Sequence, residues 1–422
     1  MNRMVPPSGG PRPAGVPPRR VMVIGSLGWS LLNFRLDLMR RMRANGHQVT
    51  AVAPDLDDET RQGLEAFGIR AVTVPMQRTG INPLADMATM NALRRLMRRE
   101  RPDVVIPYTM KPIVYGAMAA RLAGVPACHP LFTGLGYAFS DPRPRGKRRV
   151  VRDISVALHR LATGKVDLAF CYNDADRDDI RRHGMIPGAA RLVGIPGSGV
   201  DTARFAPAPI PPGPPVFLFV GRMLRSKGIE DAVAAARLLR AAGRPVRLEL
   251  LGPADTNPDA IAPEVLARWH AAGEAVALGE TRDVIPHLRR ASVIVLPTRL
   301  REGVPRTILE AMACGRPVIT TDAPGCRETV ADGQSGFVVP AGDVPALARA
   351  MRAFVDDPAL APRMGAEARR RVCARHDVDR INRMILTATG LEATGLDDTG
   401  LDDTGLEAGN GTPVAAMAEA AA

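Results

Sequence analysis

The sequence predicts an α/β protein made of two successive doubly wound parallel sheets, and three observations lead there. Short aliphatic, β-branched segments of four to six residues alternate with helix-sized gaps along most of the chain, the pattern of parallel βα units. A proline-rich segment, PAPIPPGPP at Pro207–Pro215, interrupts that alternation near its middle, after which the pattern restarts at Val216. At 422 residues the chain is also too long for one ordinary core. In sheets of this kind ligands lie outside the carboxyl ends of the strands.

In chain order, residues 1–18 are rich in proline and glycine, carry no apolar core and are expected to be disordered. Residues 19–206 form the expected first domain. A strand over Arg20–Gly25 leads through a glycine turn to an amphipathic helix, Leu31–Ala44, whose Leu31, Phe34, Leu38 and Met42 recur every three to four residues. Strands follow at His47–Ala53, Ala71–Val74, Val104–Pro107, Ala127–Leu131, Asp167–Cys171 and Arg191–Ile195, with helices over Met87–Glu100 and Ile113–Ala123. Residues 207–215 read as a stiff linker and 216–386 as the second domain. Its strands are Val216–Gly221, Arg247–Leu251, Ala275–Leu278, Val293–Leu296, Val318–Thr321 and Phe337–Val339. Residues 387–422 contain four pentads, TGLEA TGLDD TGLDD TGLEA, and are expected to be a flexible acidic tail.

Composition narrows the class. The five cysteines are scattered, odd in number and without a C-x-x-C, which supports neither a zinc cluster nor a disulfide framework. Scattered thiols suit a reduced cytoplasmic protein, and no apolar run reaches spanning length, so a transmembrane helix is not expected. Residues 1–200 carry 30 Lys+Arg against 16 Asp+Glu, a net of +14, while the remainder carries 26 against 28, a net of −2. A basic first half suits an anionic partner, whether nucleic acid, anionic lipid or a phosphorylated substrate, or is simply a solvated basic surface. The densest basic run, DPRPRGKRRVVRD at Asp141–Asp153, includes Arg145 and Arg148 and suits anionic headgroups or a lipid diphosphate. It lacks interleaved aromatics, and the chain has only four tyrosines and two tryptophans, which argues against nucleic acid.

The most informative stretch runs from Arg301 to Val330. A buried strand ends at Pro297, a loop carries Glu302, Gly303 and Pro305, and a helix follows over Thr307–Ala313 with Pro305 at its first position. Such a helix start presents N–H groups and partial positive charge suited to phosphate. Arg222 and Lys227 follow the first strand of the same sheet, beside Gly221 and Gly228, and can converge on the same crevice to neutralise a diphosphate. Elsewhere, Gly25-Ser-Leu-Gly28 lacks the third glycine of a dinucleotide fingerprint, leaving Gly28 as a close-approach or a tight-turn glycine. Asp55-Leu-Asp57 and Asp174-Ala-Asp176 are read as caps and surface acids in preference to metal ligands. Strand-end loops in the first half carry Lys111, and His129 with Thr133; each is a pocket candidate or a structural residue.

These residues resemble the family 4 retaining glycosyltransferases of the GT-B fold, two Rossmann-like domains facing a central cleft. The signature E-G-x-P-x-x-x-x-E is met by Glu302–Glu310, followed by Ala311–Ile319 and by Gly325–Glu328, while Gly221–Gly228 and Leu251–Ile261 match further stations. YTMKP at 108–112 and TGLGYAF at 133–139 are similar to the capsule and lipopolysaccharide subgroup. The resemblance covers about residues 20–385. It implies a nucleotide-sugar donor, usually linked to uridine diphosphate, on the second domain. Arg222 and Lys227 would hold the diphosphate. Glu302 with Gly303 and Val304 would address the sugar, Glu310 the ribose, and Gly221 and Arg306 would complete the donor side. Transfer would be retaining, with neither metal nor other cofactor. The acceptor would be a polyprenyl-diphosphate-linked saccharide at the inner membrane face, contacted by Gly28, Lys111, His129, Thr133, Arg145 and Arg148. Thr133 stands where many relatives have a histidine, which leaves His129 as a substitute, and Ser226 stands where an acid is frequent. A nucleotide-sugar 2-epimerase and a basic nucleic-acid-binding protein are the alternatives.

Overall fold

A computed structural model describes residues 16–77, 82–141 and 143–393. The expected N-terminal tail, except residues 16–18, and the pentad tail beyond 393 lie outside the described residues.

The first half is built on parallel strands β1 (Arg20–Ile24), β2 (Gln48–Ala53), β3 (Arg70–Thr73), β4 (Val104–Pro107) and β5 (Ala127–Cys128), in the order β3-β2-β1-β4-β5. Three more parallel strands, β6 (Leu131–Phe132), β7 (Leu168–Cys171) and β8 (Arg191–Gly194), form a separate sheet in chain order. The single strand expected over Ala127–Leu131 is therefore two. Pro130, between them, has no N–H for a ladder, and its carbonyl instead accepts the Phe170 N–H at 2.9 Å. A lone bridge between Tyr108 and Leu131 connects the two sheets.

The second half is one six-stranded parallel sheet. Its strands β9 (Val216–Val220), β10 (Arg247–Leu251), β11 (Val276–Gly279), β12 (Val293–Leu296), β13 (Val318–Thr321) and β14 (Gly336–Val339) run in the order β11-β10-β9-β12-β13-β14. Both halves are doubly wound, as the alternation predicts. The central strands are buried on both faces; β12 is buried at all four positions, so its sequence, VIVL, is a continuous apolar run. Each half has its own core, the larger one centred on β9, β12 and β13.

Two segments tie the halves together. Arg316 is fully buried and donates to the carbonyls of Ala208, Pro209, Leu288, Arg289 and Cys314, pinning the proline-rich segment to the second half. Five fixed donors in one planar group make arginine suited to gathering that many carbonyls. The other tie is the helix Val378–Ala388. The boundary expected at residue 386 falls inside it, and its Ile381, Met384, Ile385 and Leu386 enter the first half's core. Beyond its end, Leu391 is buried, its carbonyl lies 2.7 Å from His47 Nε2, and Glu392 pairs with Arg41 at 2.5 Å. The chain thus returns to the first half after completing the second.

A buried ion cluster also spans the halves. Arg301, from the loop after β12, donates through Nε to Asp176 at 2.8 Å and pairs with Asp179 through Nη1. Asp176 is fully buried, and burial pushes its carboxyl up to about 6 despite the opposing Arg301. The unfolded chain holds this proton only below about pH 4, whereas the folded protein keeps it to about pH 6. The group's stabilising contribution is therefore present below pH 4 and lost as pH rises through 6. We expect the melting temperature of wild type, measured relative to Asp176→Asn, to fall between pH 5 and 7.5. A pH-independent difference would contradict this.

Candidate active site

The loop after β9 and the loop after β12 are locked together by backbone. Gly228 adopts φ +77°, and a Cβ there would stand 1.9 Å from the Pro297 carbonyl oxygen, so only glycine fits. The Arg299 N–H donates to the Ser226 carbonyl at 2.8 Å. Ser226 is held from outside by Asp259, which accepts from both its N–H and its hydroxyl. This anchoring brings the Lys227 ammonium onto Glu302 Oε1, which also accepts from the Thr298 hydroxyl at 3.3 Å. Lys227 and Glu302 thus converge, as their positions in one sheet predicted. Arg222, half exposed on the same rim, pairs with Asp255 at 2.8 Å.

The helix after this loop begins one residue earlier than expected, at Arg306, with Pro305 as its N-cap at φ −67° and ψ 118°. Its Thr307 hydroxyl donates to the carbonyl of Val220, at the end of β9, at 3.3 Å. One turn on, Glu310 accepts from Arg306 Nε at 3.2 Å. Burial raises the Glu310 carboxyl above its ordinary value, opposed by Arg306. Arg306 also donates to the Gly199 carbonyl at 2.6 Å and lies over the Phe34 ring of the first half.

Glu302 and Gly303 form a close backbone contact between the halves. Asn173 Nδ2, from the end of β7, donates to their carbonyls at 3.2 and 3.0 Å. A Cβ on Gly303 would stand 2.2 Å from the Thr133 carbonyl oxygen. From the other side, a Cβ on Gly325, at φ +86°, would stand 2.2 Å from the Gly303 carbonyl oxygen and 2.4 Å from that of Glu302. Glu328 accepts the Gly325 N–H at 2.6 Å and fixes that turn. Two glycines let three backbones meet.

Next to this contact the halves border an open cavity of about 350 Å³, with Ser26, Tyr108 and Thr133 on one wall and Val304 and Arg306 on the other. Tyr108 fills the place a side chain at Gly25 would take, and its phenol lies 2.7 Å from the Ser30 hydroxyl. Burial pushes that phenol up to about 12, so it stays protonated. Thr109, β-branched, is held at φ +68°, where its hydroxyl donates to Ser26 at 3.0 Å. Strained backbone of this kind clusters at ligand sites.

Of the first-half residues expected to contact an acceptor, Thr133 lies in this cavity. Gly28 supports the β1 turn from outside it, giving its N–H to Asp55 at 2.6 Å. The other four are elsewhere. His129 is buried with Nδ1 3.8 Å from Asp167, just upstream of β7, and burial lowers its affinity for a proton. It lies in the two-residue link between β5 and β6, near the start of β7 and away from the cavity. Lys111 is largely buried and neutralised by Asp86 at 2.8 Å. Arg145 and Arg148 stand at the start of the helix Gly146–Thr163, outside the cavity, with Arg148 3.6 Å from Asp141. The D-x-D pairs serve structure: Asp57 caps a helix through the Thr60 N–H, and Asp176 belongs to the Arg301 cluster. For the second pair the cap is Asn173, not Asp174. Among the described residues no group of three or more His, Cys, Asp or Glu is placed to hold a metal ion.

Sequence reasoning missed Asn173, Tyr172, Ser198 and Arg35. Only Arg35 carried a signal. It sits four residues after Leu31 and four before Met39 on an otherwise apolar helical stripe, where a charge is out of place. The helix expected over Leu31–Ala44 in fact breaks there, into Gly28–Phe34 and Leu36–Ala44, with Arg35 at φ −127° and ψ −6°.

Residues 33–197 match the family model described as glycosyl transferase 4-like domain, and residues 214–357 match glycosyl transferases group 1. A D-inositol 3-phosphate glycosyltransferase of Pseudarthrobacter chlorophenolicus is 30% identical over 311 residues, 65% of this chain and 68% of the relative. The chain belongs to the family 4 glycosyltransferases. A Campylobacter jejuni N,N'-diacetylbacillosaminyl-diphospho-undecaprenol alpha-1,3-N-acetylgalactosaminyltransferase is 24% identical over 332 residues, 75% of this chain and 84% of the relative. The solved structure of Anabaena HepE in complex with UDP and glucose superposes with a TM-score of 0.70 at 18% identity, covering 88% of this chain and 99% of the other. That likeness shows the GT-B fold, with its cleft between the halves.

Because Gly303 meets Thr133 from the opposite half, Gly303→Ala must separate the two loops. Amide exchange at 133–136 and 302–304 is expected to accelerate at least tenfold, with the strand cores unchanged. Wild-type exchange at both loops would contradict this contact.

Proposed function

We propose that this glycosyltransferase moves a sugar from a nucleoside diphosphate, uridine diphosphate being the class of choice, to a saccharide carried on a polyprenyl diphosphate in cell-surface polysaccharide synthesis. The observation that carries the reading is the pair of ion contacts at one helix start, Lys227 with Glu302 and Arg306 with Glu310. Each pairs a cation suited to phosphate with a carboxylate suited to sugar hydroxyls, at the carboxyl ends of β9 and β12. The UDP complex of Anabaena HepE and the diphospho-undecaprenol substrate in the name of the Campylobacter relative support the donor and acceptor classes.

On this reading Arg222 and Lys227 bind the diphosphate, Lys227 exchanging its contact with Glu302 for one with phosphate. Glu302, Gly303 and Val304 then face the sugar, and Glu310 grips the ribose. The bond between the sugar's anomeric carbon and the diphosphate oxygen breaks as that carbon joins the acceptor hydroxyl, whose proton is released. The two cations and the helix start stabilise the departing diphosphate. Retention of configuration and independence of a metal belong to this proposal. Thr133, which stands where the resemblance would place a histidine, lies on the wall of this cavity.

The acceptor's lipid calls for a membrane surface. No helix among the described residues is long and apolar enough to cross one. The helix Gly146–Thr163 exposes Val150, Val151, Ile154 and Leu161 alongside Arg145, Lys147 and Arg149, and Leu122 is exposed on a neighbouring helix. Apolar side chains set among cations suit the interface of an anionic bilayer, here the inner face of the cytoplasmic membrane.

Incubation with a panel of nucleotide sugars and polyprenyl lipid extract should release nucleoside diphosphate and consume acceptor. Release without acceptor consumption, or an epimerised donor, would refute the proposal. Glu310→Ala should weaken binding of uridine diphosphate by about tenfold, the loss of roughly one charged hydrogen bond; unchanged affinity would remove the ribose assignment. Binding to vesicles containing phosphatidylglycerol should exceed binding to neutral vesicles and drop at least threefold in the double variant Val150→Ser, Ile154→Ser. Equal binding to both vesicles would exclude the membrane surface.

A further inference from the structure

Arg35 is the one residue of the cleft whose charge the described structure leaves unbalanced. It is 4% exposed, yet no carboxylate among the described residues stands within ion-pair distance. Its guanidinium lies 4.9 Å from the Tyr108 ring centre and 5.9 Å from that of Tyr172, and Nη2 donates to the Tyr172 hydroxyl. Nε is buried without any hydrogen-bond partner. The neighbouring cations differ. Lys227 has Glu302, Arg306 has Glu310, Arg301 has Asp176 and Asp179, and Arg222 has Asp255.

A desolvated cation held between two aromatic rings, with a donor left open, is poorly solvated and poorly compensated. Its place in the fold shows what would compensate it. Arg35 lines the 350 Å³ cavity between the halves, together with the hydroxyls of Ser26, Thr109, Thr133 and Ser198. A buried guanidinium on a wall shared with four hydroxyl-bearing residues and no acid has the composition of a phosphate site, because a planar fork matches two phosphoryl oxygens and hydroxyls can complete their hydrogen bonding.

We propose that Arg35 is a phosphoryl ligand of the first half, binding a diphosphate from across the cleft. The assignment rests on the transferase reading above, which supplies two diphosphates, one on the nucleotide donor and one on the lipid-linked acceptor. Arg35 would then add a cation to the cleft from the opposite wall to Arg222 and Lys227, so that the ligand itself draws the halves together.

The test is titration of the full chain, as wild type, Arg35→Gln and Arg35→Lys, with uridine diphosphate, inorganic pyrophosphate and farnesyl diphosphate. Arg35→Gln is expected to lose at least tenfold in affinity for one of the organic diphosphates, and for pyrophosphate with it. Loss with uridine diphosphate assigns Arg35 to the donor; loss with farnesyl diphosphate alone assigns it to the acceptor. Wild-type affinity for all three probes in Arg35→Gln overturns the proposal while leaving the transferase reading intact. A wild-type protein that binds none of them overturns both. Should Arg35→Gln fail to fold, Arg35→Lys carries the test: it keeps the charge but not the fork, so a threefold or greater loss is expected, and wild-type affinity throughout refutes the role.

Discussion

The contact on which this molecule turns is the meeting of Glu302 and Gly303 with the first half. At this point the end of β12, the turn at Gly325 and the Thr133 loop approach at backbone distance, which only glycine at 303 and 325 allows. Asn173 supplies the polar closure, one side-chain amide satisfying two carbonyls that would otherwise be buried without donors. The same loop presents the Glu302 carboxylate to Lys227 and starts the helix that carries Arg306 and Glu310. Position of the halves and position of these paired charges are therefore set by one segment. A change in the first must be felt by the second.

Charge in the cleft is arranged in neutral pairs that a ligand can re-pair. Lys227 with Glu302 and Arg306 with Glu310 are each formed by neighbours on adjoining loops or on one helix turn, so each is complete before anything binds. A diphosphate would take the cations and leave the carboxylates to hydroxyls, with little reorganisation of backbone. The interdomain ion pairs of Arg301 do a different job: they are buried, span the halves and fix their orientation. Among the described cations of the cleft, Arg35 alone has no such partner, and it carries the proposal of a phosphoryl ligand for that reason.

The fold was legible because parallel βα units leave a strong local pattern. Short aliphatic runs such as those of β9 and β12 are buried on both faces, and the proline-rich segment marks the change of sheet. The convergence of Gly221–Gly228 with Glu302–Glu310 was legible for the same reason, since each segment is contiguous and both follow strands of one sheet. What escaped were features decided by residues distant in sequence. Lys111 looked available until Asp86, from the preceding helix, was found beside it. His129 looked like a residue of a loop facing the cleft, but it lies in the short link between β5 and β6 beside Asp167, at the start of β7. The return of Val378–Ala388 to the first half is likewise invisible locally, because its apolar face does not reveal which core it will enter. Arg35 was visible as a charge on an apolar stripe, but its meaning depends on Tyr108 and Tyr172, 73 and 137 residues further on.

The central claim, that the loop at Glu302–Gly303 both joins the halves and borders the nucleotide site, is tested most directly by hydrogen exchange of the full chain with and without uridine diphosphate. The account predicts slower exchange at 221–228 and at 302–307, accompanied by slower exchange at 133–136 on the opposite half. Binding of the nucleotide with no slowing at 302–307 would contradict it.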